Sequence, residues 1–187
     1  MLTYLKSTFV WFYCLPYEDA AEYMLALGFL LIIAKEHFEG KSWWKPLLAG
    51  LLTLWAGILV YATVVSRPEG AYAPPNLIPF HSYREVNSGG SWEILLSNYM
   101  NILLFFPGGL FLSSVLPKKQ PWFLRVLISV LFFCLFSAAM EYCQYCWQLG
   151  LVEADDVLHN TLGALIGGIF GVIPTPIRRW KRQSRFL

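Results

Sequence analysis

Charged side chains are scarce in this sequence: only 14% of its 187 residues are Asp, Glu, Lys or Arg, whereas 57% are hydrophobic. The mean hydropathy is correspondingly high, at +0.51. Soluble globular domains carry roughly 25% charged residues, so this composition excludes an ordinary soluble domain. We therefore expect one compact membrane domain.

Cysteine is also rare, with four copies. Cys143 and Cys146 form a CxxC pair of the kind that a membrane thiol oxidoreductase uses. Cys14 and Cys134 offer no second exposed pair to pass electrons, so we interpret all four as small apolar residues. A single close pair also falls short of a four-ligand zinc site or a secreted disulfide framework.

Histidine occurs three times. His81 and His159 could act as metal ligands or general bases beside Glu141 and Asp156, because imidazole titrates near neutral pH. No fixed motif spacing connects these four residues, so we expect neither a metal ion nor a cofactor.

Long apolar runs dominate the chain. A bilayer core about 30 Å thick needs about 20 apolar residues per helix, and runs of about that length predict an all-α, polytopic membrane bundle of five transmembrane helices. The predicted helices cover residues 20–34, 46–65, 95–116, 122–147 and 157–173. The polar, proline-rich residues 66–92 predict an extended outer loop, because a free polar chain cannot cross lipid.

Basic residues fall in three clusters, around Lys35 to Lys45, Lys118 to Arg125 and Arg178 to Arg185. Five helices place all three clusters on the cytoplasmic side, as the positive-inside rule requires. We expect an N-terminal interfacial segment (1–19, not a cleaved signal peptide), a transmembrane domain (20–173) and a basic cytoplasmic tail (174–187). The tail next to an apolar helix is typical of a membrane anchor, and we expect no nucleic-acid partner.

The fourth predicted helix carries a polar stripe. Its residues are spaced by four, three and four positions, which places them on one helical face: Ser137, Glu141, Gln144 and Gln148. A carboxylate at membrane depth costs about 2.5–3.5 kcal/mol, so Glu141 needs a partner or a wet cavity. The stripe is compatible with a functional pocket and also with a purely structural buried hydrogen bond.

The fifth predicted helix combines packing and polar residues. Gly163, Gly167 and Gly171 recur every four residues, a pattern typical of close helix packing, within one chain or between copies. Asp156 and Asn160 continue the same face toward the outer surface, although a carboxylate there also suits a cap at the positive helix end.

A third polar set lies in and after the loop. It contains Asn76 and Arg84, followed by Asn98 and Asn101 on the third helix, and Arg84 is positioned to pair with an outer carboxylate. Phe80 and Tyr83 nearby are typical of aromatic residues at the membrane interface.

Residues 76–80, 101–108, 137–144 and 155–163, in this order and spacing, resemble the VanZ-like family. The resemblance covers residues 76–171, and the first two helices match only in general character. It implies a small bacterial membrane protein associated with teicoplanin resistance in Gram-positive bacteria. The resemblance also implies a set of characteristic polar and turn positions, namely Asn76, Pro79, Asn101, Pro107, Glu141, Gln144, Asp156 and Asn160.

The sequence departs from the VanZ-like pattern at two positions. Gly150 stands where the family often has Arg, and Glu153 replaces a frequent Asp. The resemblance therefore leaves the carboxylates without their expected cation, and Arg84 becomes a candidate substitute.

Two functions follow as hypotheses. The first is a membrane factor that lowers teicoplanin action at the cell surface through an outward-facing polar pocket, with membrane lipid, a lipoglycopeptide or a lipid-linked cell-wall precursor as partner. The predicted ligand-binding residues are Asn76, Arg84, Asn101, Glu141, Gln144, Asp156 and Asn160. The second is an intramembrane enzyme that modifies a cell-wall or membrane lipid, with Glu141 and Asp156 as acid and base.

Overall fold

A computed structural model describes residues 17–65, 67 and 74–172. This part of the chain is all-helical and contains no named strand. Its helices are α1 (Tyr17–Phe38), α2 (Trp44–Val60), α3 (His81–Asn87), α4 (Glu93–Val115), α5 (Trp122–Trp147) and α6 (Ala154–Val172), and a π-helical turn, Tyr61–Val65, continues α2.

Three helical segments are long and apolar enough to cross a membrane, namely Trp44–Val65, Glu93–Val115 and Trp122–Trp147. They correspond to the second, third and fourth predicted spans. The count of five spans stays a prediction for α1 and α6. The N-terminal segment 1–19 and the basic tail 174–187 lie outside the described residues, except for residues 17–19, which begin α1.

The predicted extended loop is not extended throughout. Its described part contains α3, a helix of seven residues. The backbone N–H of Asn76 donates to Val152 O at 2.8 Å, and Ala154 N–H donates to Asn76 O at 2.9 Å. The loop is therefore tied by backbone hydrogen bonds to the α5–α6 connection, which satisfies polar groups that an extended chain would leave to water.

The glycines of α6 set its distance from α4. A Cβ atom added at Gly163 would overlap the carbonyl group of Ile102, and one at Gly167 would overlap that of Phe106. The two backbones are therefore in direct contact, an approach that only a residue without a side chain permits. α6 packs against α4 and α5, and α4 also contacts α1, α2 and α3.

Buried cations cap helices at one end of the bundle. Lys35 Nζ donates to Gly171 O at 2.5 Å near the end of α6, and the guanidinium of Arg125 donates to Ser113 O near the end of α4. Lys118 pairs with Glu39 at 2.7 Å beside them. A cation at a helix C-terminus satisfies carbonyl groups that have no partner within the helix. We call this the basic end, and the opposite end, with Glu153, Asp155 and Asp156, the acidic end.

Candidate functional site

Polar side chains of α5 form a buried row that faces α6 near the acidic end. Ser137 and Gln144 are at most 1% exposed and Glu141 is 7% exposed. The fourth residue of the predicted stripe, Gln148, does not belong to this row, because it ends α5 in a left-handed conformation and its side chain is exposed. The helical period places residues on one face only as long as the helix continues.

The row of α5 meets a second row on α6. Asn160 donates from Nδ2 to the Ser137 hydroxyl at 2.8 Å. Asp156 precedes Asn160 by one helical turn, and Glu141 follows Ser137 by one turn. The charge of Asp156 acts on Glu141. We call the group Ser137, Glu141, Asp156 and Asn160 the polar seam; its residues lie in pairs between two helices.

The acceptor atoms of the seam outnumber the donors that reach them. Glu141 Oε2 accepts a hydrogen bond from the backbone N–H of Glu153 at 3.2 Å, and Asp156 Oδ1 accepts one from Asn101 Nδ2 at 2.8 Å. Asn160 Oδ1 is buried and accepts none within the part of the chain that the structure describes. A buried oxygen without a donor is rare in proteins and calls for a specific explanation.

Gln144 connects the seam to the end of α2. Its Nε2 donates to Thr63 O at 3.1 Å, in the π-helical turn, and its Oε1 accepts a hydrogen bond from Arg67 Nη1 at 3.2 Å. The positive charge of Arg67 acts on Glu141 and on Asp156. Within the described residues, Arg67 is therefore an arginine whose charge acts on both carboxylates.

Asp155, the neighbour of Asp156, has a separate role. Its carboxylate accepts hydrogen bonds from Phe80 N–H at 2.5 Å, from Ser82 N–H at 2.9 Å and from the Ser82 hydroxyl at 2.5 Å. Asn98 Nδ2 in turn donates to Ser82 Oγ at 2.7 Å. A carboxylate that binds N–H groups at a helix start is a cap, and Asp155 caps α3, not its own helix.

The anchored α3 brings Tyr83 onto α6. His159 Nδ1 lies 2.6 Å from Asp155 O, and because a carbonyl oxygen only accepts, Nδ1 must carry the proton. When the ring is neutral, Nε2 is an acceptor, and the Tyr83 hydroxyl donates a hydrogen bond to it at 2.8 Å. Tyr83 was expected only as an interface aromatic; it is 45% exposed but also covers a buried histidine.

Glu153 borders the seam at the acidic end. Its side chain is half-buried, and burial raises the pKa of its carboxyl above the ordinary value, with a further rise from the charges of Asp156 and Asp155. The acidic end is therefore crowded with negative charge.

A model of the VanZ/LLP1 family matches residues 47–173, which is more than half of the chain. The chain belongs to this family. No curated protein and no solved structure matches the chain.

Four of the residues implied by the VanZ-like resemblance lie in or directly against the polar seam. Glu141, Asp156 and Asn160 are members of it, and Asn101 donates to it from α4. Gln144 lies one turn away and holds Arg67. Their role in ligand binding stays a prediction.

Asn76 and Arg84 are placed differently from the other predicted site residues of this VanZ/LLP1 chain. The side chain of Asn76 accepts a hydrogen bond from Ile78 N–H at 3.3 Å, and its backbone pairs with the α5–α6 connection. Arg84 is exposed on α3. The structure places Arg67, not Arg84, beside the carboxylates.

Sequence reasoning passed over Arg67 because Arg67 stands in a proline-rich stretch without periodicity. One signal pointed to it: the seam needed a cation after the family Arg was found to be replaced by Gly150, and the outer loop contains only two arginines, Arg67 and Arg84.

The CxxC pair lies on α5 away from the seam contacts. Both residues are free thiols, with Cys143 half-buried and Cys146 exposed, and Cys143 packs against the apolar core. This placement supports the interpretation of Cys143 as a packing residue.

Proposed function

We propose that this VanZ/LLP1 protein lowers the susceptibility of a Gram-positive cell to teicoplanin-type lipoglycopeptides at the outer face of the cell membrane, and that the polar seam is the site of this action. The observation that carries the proposal is the burial of Glu141, Gln144 and Asn160 between apolar helices. Buried polar groups in a membrane bundle are costly and therefore typical of functional sites.

The charge distribution supports the orientation that this function needs. Lys35, Lys118 and Arg125 lie at the basic end, and the positive-inside rule assigns such an end to the cytoplasm. We propose that all five long helices cross the membrane, which puts the polar seam and α3 on the outside. Both the drug and the lipid-linked cell-wall precursors are then accessible to it.

A polar site between apolar walls suits an amphiphilic ligand. The exposed apolar side chains of α3 and the preceding loop, Ile78, Phe80 and Tyr83, lie next to the acidic end. They are suited to contact acyl chains or headgroups at the interface, where aromatic residues are enriched. The proposed ligand classes are therefore membrane lipids, lipoglycopeptides and lipid-linked precursors.

The inhibitory concentrations of teicoplanin and vancomycin test the proposal. A susceptible Gram-positive host expresses the wild type, Glu141→Gln, Asp156→Asn or Glu93→Gln at matched membrane levels. Glu93→Gln is the control, because Glu93 is exposed at the start of α4. We expect a teicoplanin-selective rise with the wild type and the control, and no rise with the two seam variants. No rise with the wild type refutes the resistance function for this chain.

A second function is favoured by one observation: the hydrogen bond between Asn160 and Ser137 places Asp156 and Glu141, each one helical turn nearer the acidic end, on the facing sides of α6 and α5. Two neighbouring carboxyl groups are suited to act as acid and base on a cell-wall or membrane lipid, with Asn160 orienting the substrate. Glu141→Gln then abolishes the formation of a modified lipid, measured by mass spectrometry of membrane extracts, while Glu93→Gln does not. Identical lipid profiles with and without the wild-type protein refute the enzyme.

A further inference from the structure

The polar seam has a distinct chemical character: it offers acceptors and negative charge. Glu141 and Asp156 each receive one hydrogen bond from the residues described above, whereas a carboxylate has about four acceptor positions. Glu153 adds a third carboxylate at the edge, and Arg67 supplies one positive charge. A ligand that fits this group must bring N–H donors and positive charge.

Asn160 gives an independent indication of the same ligand chemistry. Its side chain is 5% exposed, and its Nδ2 donates to Ser137 while Oδ1 has no donor within the described residues. Asn160 lies one helical turn from Asp156, and Ser137 lies one turn from Glu141. The Asn160 amide therefore lies one helical turn from the two carboxylates, on the side toward the basic end. An unpaired buried acceptor at this position in an acidic seam again calls for a donor.

We propose that the polar seam binds a primary ammonium group of a membrane amphiphile, with Glu141, Asp156 and Asn160 Oδ1 as its acceptors. The inference rests on the proposed function and names the chemical class of its ligand. A primary ammonium has three N–H donors on one compact charge, which equals in number the three acceptors Glu141, Asp156 and Asn160 Oδ1. A quaternary ammonium has the charge without the donors, and an amide has the donor without the charge.

Headgroup comparison tests this chemistry directly. The purified full-length protein in a neutral detergent is titrated with short-chain phosphatidylethanolamine, its N-acetylated derivative and phosphatidylcholine, and dissociation constants are measured by thermophoresis. In a second arm of the experiment, the protein is titrated with a lipoglycopeptide before and after acetylation of its amino groups. Comparison of the two arms shows whether the ammonium group comes from a drug or from a lipid headgroup.

We expect the free amine to bind at least about tenfold more tightly than its acetylated form in one arm or both, because hydrogen bonds to charged groups contribute more than neutral ones. In the lipid arm, phosphatidylcholine should bind as weakly as the acetylated lipid. Glu141→Gln and Asp156→Asn should lose this preference, whereas Glu93→Gln, the same type of change at an exposed position, should keep it.

Equal binding of free and acetylated amines by the wild type in both arms overturns the inference, and so does a preference that survives both seam substitutions. If Glu141→Gln does not fold, Asp156→Asn carries the comparison, because Asp156 is only half-buried. If the wild type prefers the free amine, the seam variants lose this preference, and expression of the wild type leaves teicoplanin susceptibility unchanged, the inference is retained and the proposed function is refuted. Seam-dependent resistance without that preference refutes the inference alone.

Discussion

The guanidinium of Arg67 lies beside the backbone of Gly150: a Cβ atom added at Gly150 would stand 3.4 Å from Arg67 Nη1. Arg67 thereby occupies the space into which a side chain at position 150 would extend. The VanZ-like resemblance implies an Arg at position 150, and the guanidinium of Arg67, from the segment between α2 and α3, lies next to this position. The positive charge of Arg67 acts on Glu141 and on Asp156.

Gly150→Ala should destabilise the protein by about 1–3 kcal/mol, because Gly150 has a φ of +119°, which side chains rarely adopt. The new methyl group would be in van der Waals contact with Arg67 Nη1, so the cost comes from the backbone conformation. Thermal unfolding in detergent measures the effect, with Gly57→Ala as control, since Gly57 has open space around its Cβ position and lies inside α2. An unchanged melting temperature for Gly150→Ala would contradict the described turn.

Gly163→Ala should weaken the contact of α4 with α6, because its Cβ would overlap the carbonyl group of Ile102. Overpacking of this kind costs typically about 1–3 kcal/mol. Gly168→Ala is the matched control on the same helix, since its Cβ would make an ordinary contact with Val126 at 3.6 Å. The measurement is again thermal unfolding in detergent, and equal melting temperatures of the two variants would show that α4 and α6 are not in backbone contact.

When the imidazole ring of His159 is neutral, its proton should be on Nδ1, because Asp155 O accepts from this nitrogen. The ¹⁵N chemical shifts of the imidazole ring in the labelled protein distinguish the two tautomers. Tyr83→Phe removes the donor to Nε2, and an unpaired buried nitrogen costs about 1–3 kcal/mol. A proton found on Nε2 in the wild type would refute this arrangement.

Glu153→Gln should stabilise the protein at neutral pH. Burial raises the pKa of Glu153 above 4.5 in the folded state, with Asp156, Asp155 and Glu85 acting in the same direction and His81 opposing. A raised folded-state pKa means that the folded protein binds the proton more tightly, so stability is lost as the pH rises through that pKa.

The Glu153→Gln variant does not lose stability in this way as the pH rises. The difference in the free energy of unfolding between this variant and the wild type should therefore become smaller as the pH falls toward 4.5 and below. Unfolding curves across this range measure the difference, with Glu93→Gln as the exposed control. If the difference in the free energy of unfolding does not depend on pH, the stabilisation does not come from removal of the Glu153 charge.

Much of the seam was predictable from helical periodicity. The spacing of Ser137, Glu141 and Gln144 placed them on one face, and the structure buries all three. The predicted bounds of the fourth helix, 122–147, agree with α5, because proline precedes it and a polar turn follows. α6 begins at Ala154, three residues before the predicted apolar span 157–173, and Asp155 and Asp156 lie in its first turn, where a carboxylate was expected at the positive helix end.

The sequence by itself determined where the long apolar helices lie, which of their faces are polar and where small residues permit close packing, since these follow from hydropathy and a fixed period of 3.6 residues. Only the tertiary structure decided the partners. Asp155 and Asp156 are adjacent, yet about 100° of helical rotation turns one toward α3 and the other toward α4. Arg67 reaches Gln144 across 77 positions of sequence, and the path of a loop without periodicity depends on the surfaces against which it folds.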